Sequence, residues 1–175
     1  MKSKGLAIIF CAFALFYNAP DVFACDCSLP EKIKDETAFR EMVVNKYNKA
    51  VAVFSGEITD NDKFNIKFKI EKNWKGATGA SYAMSTGLRP SGSGTFKSSS
   101  CDYSFNDGDK YLVFAFKTQY GDVQTYYCSL TQPLGKAERT EKTLDEFIKE
   151  QKMNSKSFEE NFGLAFSWHY LNYIL

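Results

Sequence analysis

The sequence predicts a small, mainly β domain with flanking helices (α+β), built as a barrel or sandwich. Five short segments have strand patterns and are separated by turn signals. One segment early in the chain and another late in it have apolar residues at helical spacing. Four cysteines follow a predicted leader, which favours a domain stapled by two disulfides.

Residues 1–24 have the pattern of a secretory signal peptide. Two lysines precede an apolar run over residues 5–17, which is too short to span a membrane, and Val22 and Ala24 occupy the −3 and −1 positions of a cleavage site. The pattern predicts cleavage before Cys25 and secretion into an oxidising extracellular or periplasmic space.

Composition limits the classes of partner. The leader holds two of the 22 basic and one of the 21 acidic residues, so the remaining chain is neutral. A neutral chain gives no basis for a nucleic-acid partner. Residues 25–152 suit one domain, and residues 153–175 form an aromatic tail. That tail is compatible with packing on the core, with a partner surface or with a membrane interface.

Two helices are predicted at the ends of the domain. In Glu31–Lys49 the apolar residues recur at helical spacing, and Asp35 or Thr37 would cap the start. The helix at Thr143–Lys152 places three apolar side chains on one face: Leu144, Phe147 and Ile148.

The strands lie between these helices. Ala50–Ile58 is apolar and predicts a buried strand. Phe64–Ile70 alternates apolar and polar residues, which predicts a half-buried strand that Trp74-Lys75-Gly76 closes. Ser81–Thr86 predicts a short strand, and Gly87–Ser100, rich in Gly and Ser, predicts a flexible loop.

Two further strands follow turn signals. Asn106-Asp107-Gly108 precedes the strongly apolar Lys110–Phe116, and Gly121-Asp122 precedes Val123–Cys128. Both segments are predicted strands.

Catalytic patterns are scarce. The sequence contains no HExxH, GxSxG, GxxxxGK[ST] or GxGxxG pattern, and the one histidine, His169, lies in the tail. With the cysteines in disulfides, no metal-ligand set of the protein's own is expected. We therefore expect no enzymatic activity and no cofactor.

The most informative segment is Cys25-Asp26-Cys27. Its two cysteines are too close to bond to each other without strain, so each needs a distant partner. Cys25 pairs with Cys101 and Cys27 with Cys128, or the pairs are crossed. Either arrangement staples the N-terminal segment to two places in the sheet.

Six motifs follow one another along the chain. They are Cys25-Asp26-Cys27, Val53-Phe54-Ser55-Gly56-Glu57-Ile58, Trp74-Lys75-Gly76, Ser99-Ser100-Cys101, Gly108-Asp109-Lys110-Tyr111-Leu112-Val113-Phe114-Ala115 and Cys128-Ser129-Leu130-Thr131-Gln132-Pro133-Leu134. They occur in the order seen in netrin-like domains, and the sequence resembles in particular the N-terminal domain of tissue inhibitors of metalloproteinases and their microbial single-domain relatives. The resemblance extends from Cys25 to about Ile148.

The resemblance implies a fold, a disulfide pairing and a function. The fold is an OB-like, five-stranded barrel with helices against it, and the pairing is Cys25–Cys101 with Cys27–Cys128. In these inhibitors the α-amine and carbonyl of the first cysteine chelate the catalytic zinc of a target metalloprotease, and here that cysteine is Cys25. The implied inhibitory residues are Cys25, Asp26, Cys27 and Ser28, with Ser99 and Ser100 as a second contact stretch.

Asp26 would point toward the specificity pocket of the protease. A carboxylate that enters an apolar pocket carries a desolvation cost, so a target with a basic pocket is favoured. Two alternatives to inhibition remain. One is a secreted or lipid-anchored netrin-like module that binds another partner, and the other is a thiol–disulfide exchanger that uses the Cys-x-Cys pair.

Overall fold

Five strands close into a mixed β-barrel. In chain order, the elements of the described residues are α1 (Glu36–Lys49), β1 (Ala52–Asn61), β2 (Asn65–Lys75), β3 (Ser81–Ser85), β4 (Arg89–Pro90), β5 (Phe96–Lys97), β6 (Lys110–Lys117), β7 (Val123–Gln124), β8 (Gln132–Pro133) and α2 (Glu138–Leu171). The barrel order is β1-β2-β3-β7-β6, and pairing of β1 with β6 closes it. Only the β3–β7 pair among them is parallel. The predicted OB-like, five-stranded barrel with flanking helices is confirmed.

The computed structural model describes Cys25, Cys27, residues 30–92 and residues 94–171; within 158–171 it describes the backbone. The predicted leader and the last four residues of the tail lie outside the described residues. In the part of the chain that is described, no helix has the length and apolar character needed to cross a membrane.

β1 and β6 read as continuous apolar runs because both of their faces are covered. Phe54 and Val113 face the barrel interior together with Phe68 of β2. Their neighbours Val53 and Phe114 face the opposite way and pack under the two helices. The barrel interior and the helix layer are therefore two separate hydrophobic clusters that share these strands.

β2 shows the predicted alternation. Ile66 and Phe68 are buried, whereas Lys67 and Lys69 point to solvent. The strand ends at Lys75. The next residue, Gly76, has φ 70°, and a Cβ at this position would collide with the Val51 carbonyl. This contact gives the Trp74-Lys75-Gly76 motif a structural reason.

α1 begins later than the sequence predicts. Residues Pro30–Lys32 form a single 3-10 turn, and the α-helix starts at Glu36. Asp35 is the N-cap, as one of the two predicted candidates, and its Oδ1 accepts a 2.7 Å hydrogen bond from the Ala38 amide. Because the Asp35 carboxylate pairs with an amide of the first turn, the α-helix starts at the residue after Asp35.

The predicted loop at Gly87–Ser100 contains a two-stranded ribbon of β4 and β5. The ring of Phe96 lies 5.5 Å from that of Phe64, and Lys63 Nζ lies 3.2 Å from the Phe96 ring centroid. These contacts anchor the ribbon on the β1–β2 turn. The Gly- and Ser-rich composition of the segment does not predict them, because they depend on residues distant in the sequence.

Three predicted boundaries of β7 and α2 are wrong. β7 ends at Gln124 rather than at Cys128, because the chain leaves the sheet to make the hydrogen bonds and the disulfide described below. α2 starts at Glu138 rather than at Thr143, where acidic residues of the first turn favour the helix N-terminus. It does not stop at Lys152 but continues to Leu171, through most of the segment predicted as a tail.

Candidate functional site

Two disulfides fix the N-terminal segment to the barrel. Cys25 is bonded to Cys101 with a Cα–Cα distance of 5.5 Å, and Cys27 is bonded to Cys128 with a Cα–Cα distance of 5.6 Å. This is the pairing that the family resemblance implies, and not the crossed one. The other two residues of the predicted N-terminal contact, Asp26 and Ser28, lie outside the described residues.

A short ladder brings the two distant half-cystines together. Asp102, after Cys101, forms an antiparallel bridge with Tyr126, which precedes Cys128 by two residues. The Tyr127 amide also donates a 2.8 Å hydrogen bond to the Cys101 carbonyl. Because these segments lie side by side, Cys101 and Cys128 are close together. Cys25 and Cys27, which are separated by one residue, can therefore each reach a distant partner.

The second predicted contact stretch forms a tight turn beside the first disulfide. The Ser99 amide donates to Asp102 Oδ2 at 2.7 Å, and the Cys101 amide donates to Ser99 Oγ at 3.2 Å. Ser99 and Ser100 are both exposed. The turn therefore presents the two serines to solvent at the Cys25–Cys101 bridge.

A buried hydroxyl network supports the second disulfide. Thr125 Oγ1 lies 2.7 Å from Ser129 Oγ and 2.6 Å from Thr131 Oγ1, and Thr131 Oγ1 accepts from the Phe114 amide of β6 at 3.0 Å. All three hydroxyl residues are buried. The network ties the chain on both sides of Cys128 to the barrel wall, which makes this end of the site rigid.

Aromatic hydroxyls surround the same disulfide. Cys27 and Cys128 line a cavity of about 250 Å³ together with Tyr103 and Tyr127. Burial, and then the neighbouring Tyr111 and Tyr127, raise the pKa of Tyr103 to about 12. Tyr103 is therefore neutral at physiological pH, and Tyr127 is 52% exposed beside the bridge.

A larger cleft of about 540 Å³ opens next to the serine turn. Its wall includes Ser99 and Asp102, and most of its other residues come from the β3–β4 connection, from β4 and β5, and from the β6–β7 hairpin. Gly87 is buried at the wall with φ 90°, and a Cβ there would lie 2.9 Å from Asp102 Oδ1. A glycine is thus needed for Asp102 to reach the Ser99 amide.

Replacing Gly87 with alanine is expected to destabilise the fold by about 1–2 kcal/mol, because the left-handed conformation is costly for alanine and the Cβ would meet Asp102. Urea unfolding of both proteins measures the difference. Gly92→Ala is the matched control, since a Cβ at Gly92 meets nothing within 4 Å. Equal free energies of unfolding for the two variants would contradict the role assigned to Gly87.

Sequence reasoning identifies the cysteines and the serine turn but not their supports. Asp102, Gly87 and the Thr125 network act through contacts between segments far apart in the chain. Their one sequence signal is the density of Ser, Thr and Asp next to Cys101 and Cys128. Among the described residues, no three His, Cys, Asp or Glu side chains come together as a metal site.

Comparisons with protein-family models and with curated proteins return no match. No protein-family model matches the chain, and no curated protein matches it significantly. The function proposed below therefore rests on the residues, the geometry and the motif resemblance.

Proposed function

We propose that this protein is a secreted inhibitor of zinc metalloproteases that acts through its mature N-terminus. The observation that carries the proposal is the disulfide between Cys25 and Cys101. Cleavage of residues 1–24 would leave the α-amine of Cys25 free, and the bridge would hold this amine and the Cys25 carbonyl at one point on the barrel. A chelating pair held in place loses less conformational freedom on binding than a flexible terminus does.

Zinc chemistry suits this pair of ligands. A catalytic zinc keeps an open coordination position that water normally occupies. An α-amine has an unperturbed pKa of about 8, so a useful fraction is neutral near pH 7, and the metal lowers that pKa further. The amine would displace the water, and the protease would lose its nucleophile.

The exposed surface around Cys25 supplies further contacts. The turn of Ser99 and Ser100 stands beside the first disulfide, and Tyr127 stands beside the second. Tyrosine is enriched at the centres of protein interfaces. These groups would flank the zinc ligand on the surface that meets the protease.

Inhibition assays with a set of purified zinc metalloproteases test the proposal. We expect the mature protein to compete with substrate, and to act best on enzymes with a lysine or arginine in the pocket that would receive Asp26. A cation would offset the desolvation of this carboxylate. Inhibition that is non-competitive with substrate would contradict zinc chelation.

The second candidate is a netrin-like module that binds another partner without using its amine. The cleft beside the serine turn favours this candidate, because it is a charged concave surface that does not need a free N-terminus. The two candidates differ in one property: a blocked Cys25 amine abolishes the first activity and leaves the second intact.

A further inference from the structure

We propose that the cleft beside the serine turn binds an acidic peptide segment, and we name it the cationic cleft. It is lined by three cationic side chains, one carboxylate and a set of aromatic and amide groups, of which the argument uses Arg89, Lys97, Lys117, Asp102, Tyr120 and Gln124. Its volume of about 540 Å³ lies in the usual range for ligand sites. The proposal does not depend on metalloprotease inhibition.

The charge of the cationic cleft is unbalanced. Ion pairs within the described residues involve Arg40, Lys72, Lys110 and Arg139, and none of them involves a cation of the cleft. Asp102, the one carboxylate there, already accepts the Ser99 amide. Three positive charges against one carboxylate in a concave surface favour an anionic ligand.

The side chain of Arg89 is oriented by a neighbouring ring, and its hydrogen-bond donors can reach such a ligand. Its guanidinium carbon lies 4.1 Å from the centroid of the Tyr120 ring, which orients the planar group without using its N–H donors. Arg89 is half-buried, so its charge is less screened than that of a fully exposed lysine. A guanidinium in this state matches a carboxylate by two parallel hydrogen bonds.

Gln124 offers a second group that a ligand could bind, a hydrogen-bond acceptor. Its side-chain Oε1 is buried and has no hydrogen-bond partner among the described residues. A buried acceptor is costly when it is unpaired, so a ligand with an N–H donor near its anionic group would be stabilised here. An Asp or Glu residue within a peptide carries both groups, the carboxylate for Arg89 and a backbone N–H for Gln124.

A peptide fits these features better than a sulfated polysaccharide. The cations line one open cleft rather than an extended basic stripe, and aromatic side chains form part of its wall, with Phe116 and Tyr126 5.1 Å apart between ring centroids. A few peptide residues would fill the volume. A long polyanion would leave most of its charges outside the cleft.

Calorimetric titration of the secreted, disulfide-bonded protein tests the proposal. The probe is acetyl-Glu-Glu-Glu-amide, and its neutral counterpart is acetyl-Gln-Gln-Gln-amide. We expect the acidic peptide to bind at least about tenfold more tightly, because charge-assisted hydrogen bonds are stronger than neutral ones. Added salt should weaken its binding. Equal affinity for the two peptides would overturn the proposal.

Variants locate the site. Arg89→Gln and Lys117→Gln should each weaken binding of the acidic peptide roughly fivefold or more. Lys152→Gln removes the same charge from an exposed position on α2, which contributes no residue to the cleft, and should leave the affinity unchanged. Equal effects of the three substitutions would show that net charge is responsible, and would overturn the assignment.

A third set of probes identifies the ligand class. Gln124→Leu should weaken binding of the acidic peptide but not of glutarate, which has carboxylates and no N–H donor. Glutarate binding as tight as peptide binding would show that the cleft takes a free organic acid. A sulfated disaccharide that binds more tightly than the peptide, with no effect of Gln124→Leu, would replace the peptide by a glycan. Either outcome overturns the proposal.

Discussion

Removing the Cys25–Cys101 bridge is expected to abolish metalloprotease inhibition while the barrel still folds. The double variant Cys25→Ser/Cys101→Ser keeps the α-amine and the carbonyl of residue 25 but releases them from the barrel. Both cysteines are changed, because a freed Cys25 thiol would itself bind zinc. We expect inhibition to fall by at least about 100-fold, since the chelating pair must then be ordered at the moment of binding.

The same variant also loses stability. The bridge joins residues 76 apart, and closing a loop of this length contributes about 4–5 kcal/mol in the chain-entropy account. Thermal unfolding therefore accompanies the inhibition assay, which is run well below the melting temperature of the variant. This measurement separates release of the chelating pair at residue 25 from loss of the fold.

Cys27→Ser/Cys128→Ser is the matched control for the first prediction. It removes a bridge across 101 residues, with a similar expected loss of stability, but leaves Cys25 bonded to Cys101. We expect this variant to inhibit within about tenfold of the parent, because the chelating residue stays in place. A loss of inhibition as large as that of the first variant would show that general stability, and not the position of Cys25, is what matters.

The second large effect is expected from a single alanine added before Cys25. Both disulfides and the barrel remain, but the nitrogen of Cys25 becomes an amide, which does not ligate zinc, and the free amine moves by about 3.8 Å. We expect at least about 100-fold weaker inhibition, since even second-shell changes at metal sites cost roughly 10–100-fold. The melting temperature should not change.

An alanine added after Leu175 serves as the control for this extension. It changes the length and mass of the chain equally and leaves the amine of Cys25 free. An N-terminally extended protein that inhibits as well as this control would exclude the α-amine as the zinc ligand.

Local periodicity accounts for most of the barrel. The alternation in Phe64–Ile70 places β2 with one face inward, and the apolar runs of β1 and β6 are explained by the helix layer that covers their outer face. The sequence offers Asp35 and Thr37 as N-cap candidates, and the structure selects Asp35. The alternation of β2 and the presence of a cap depend on neighbours within a few residues, so the sequence is sufficient to predict them.

The end of β7 depends on contacts that periodicity does not report. Val123–Cys128 has a strand pattern, but Thr125 turns inward to Ser129 and Thr131, and Leu130 adopts φ 76°. A left-handed conformation is rare for leucine, and such backbone persists where the surrounding structure imposes it. The disulfide at Cys128 is part of that surrounding structure.

The cationic cleft could not be predicted from the sequence for a related reason. Lys117 and Gln124 lie on the two arms of the β6–β7 hairpin, and the parallel pairing of β3 with β7 brings the segment that leads to Arg89 beside them. The Cys25-Asp26-Cys27 motif, in contrast, identifies Cys25 as a candidate site residue from the sequence alone. The sequence thus predicts the disulfide-bonded N-terminal segment, but it does not predict the cleft that packing assembles.

The most direct test of the proposed zinc-chelating N-terminus is the covalent state of Cys25 in the protein that is recovered after expression of the full sequence. Intact-mass spectrometry with and without reduction, combined with mapping of the N-terminal peptide, measures it. We predict a chain that begins at an unmodified Cys25 and gains the mass of four hydrogens on reduction of its two bridges. A chain that begins at another residue, or a Cys25 with an acylated amine, would contradict the proposed function.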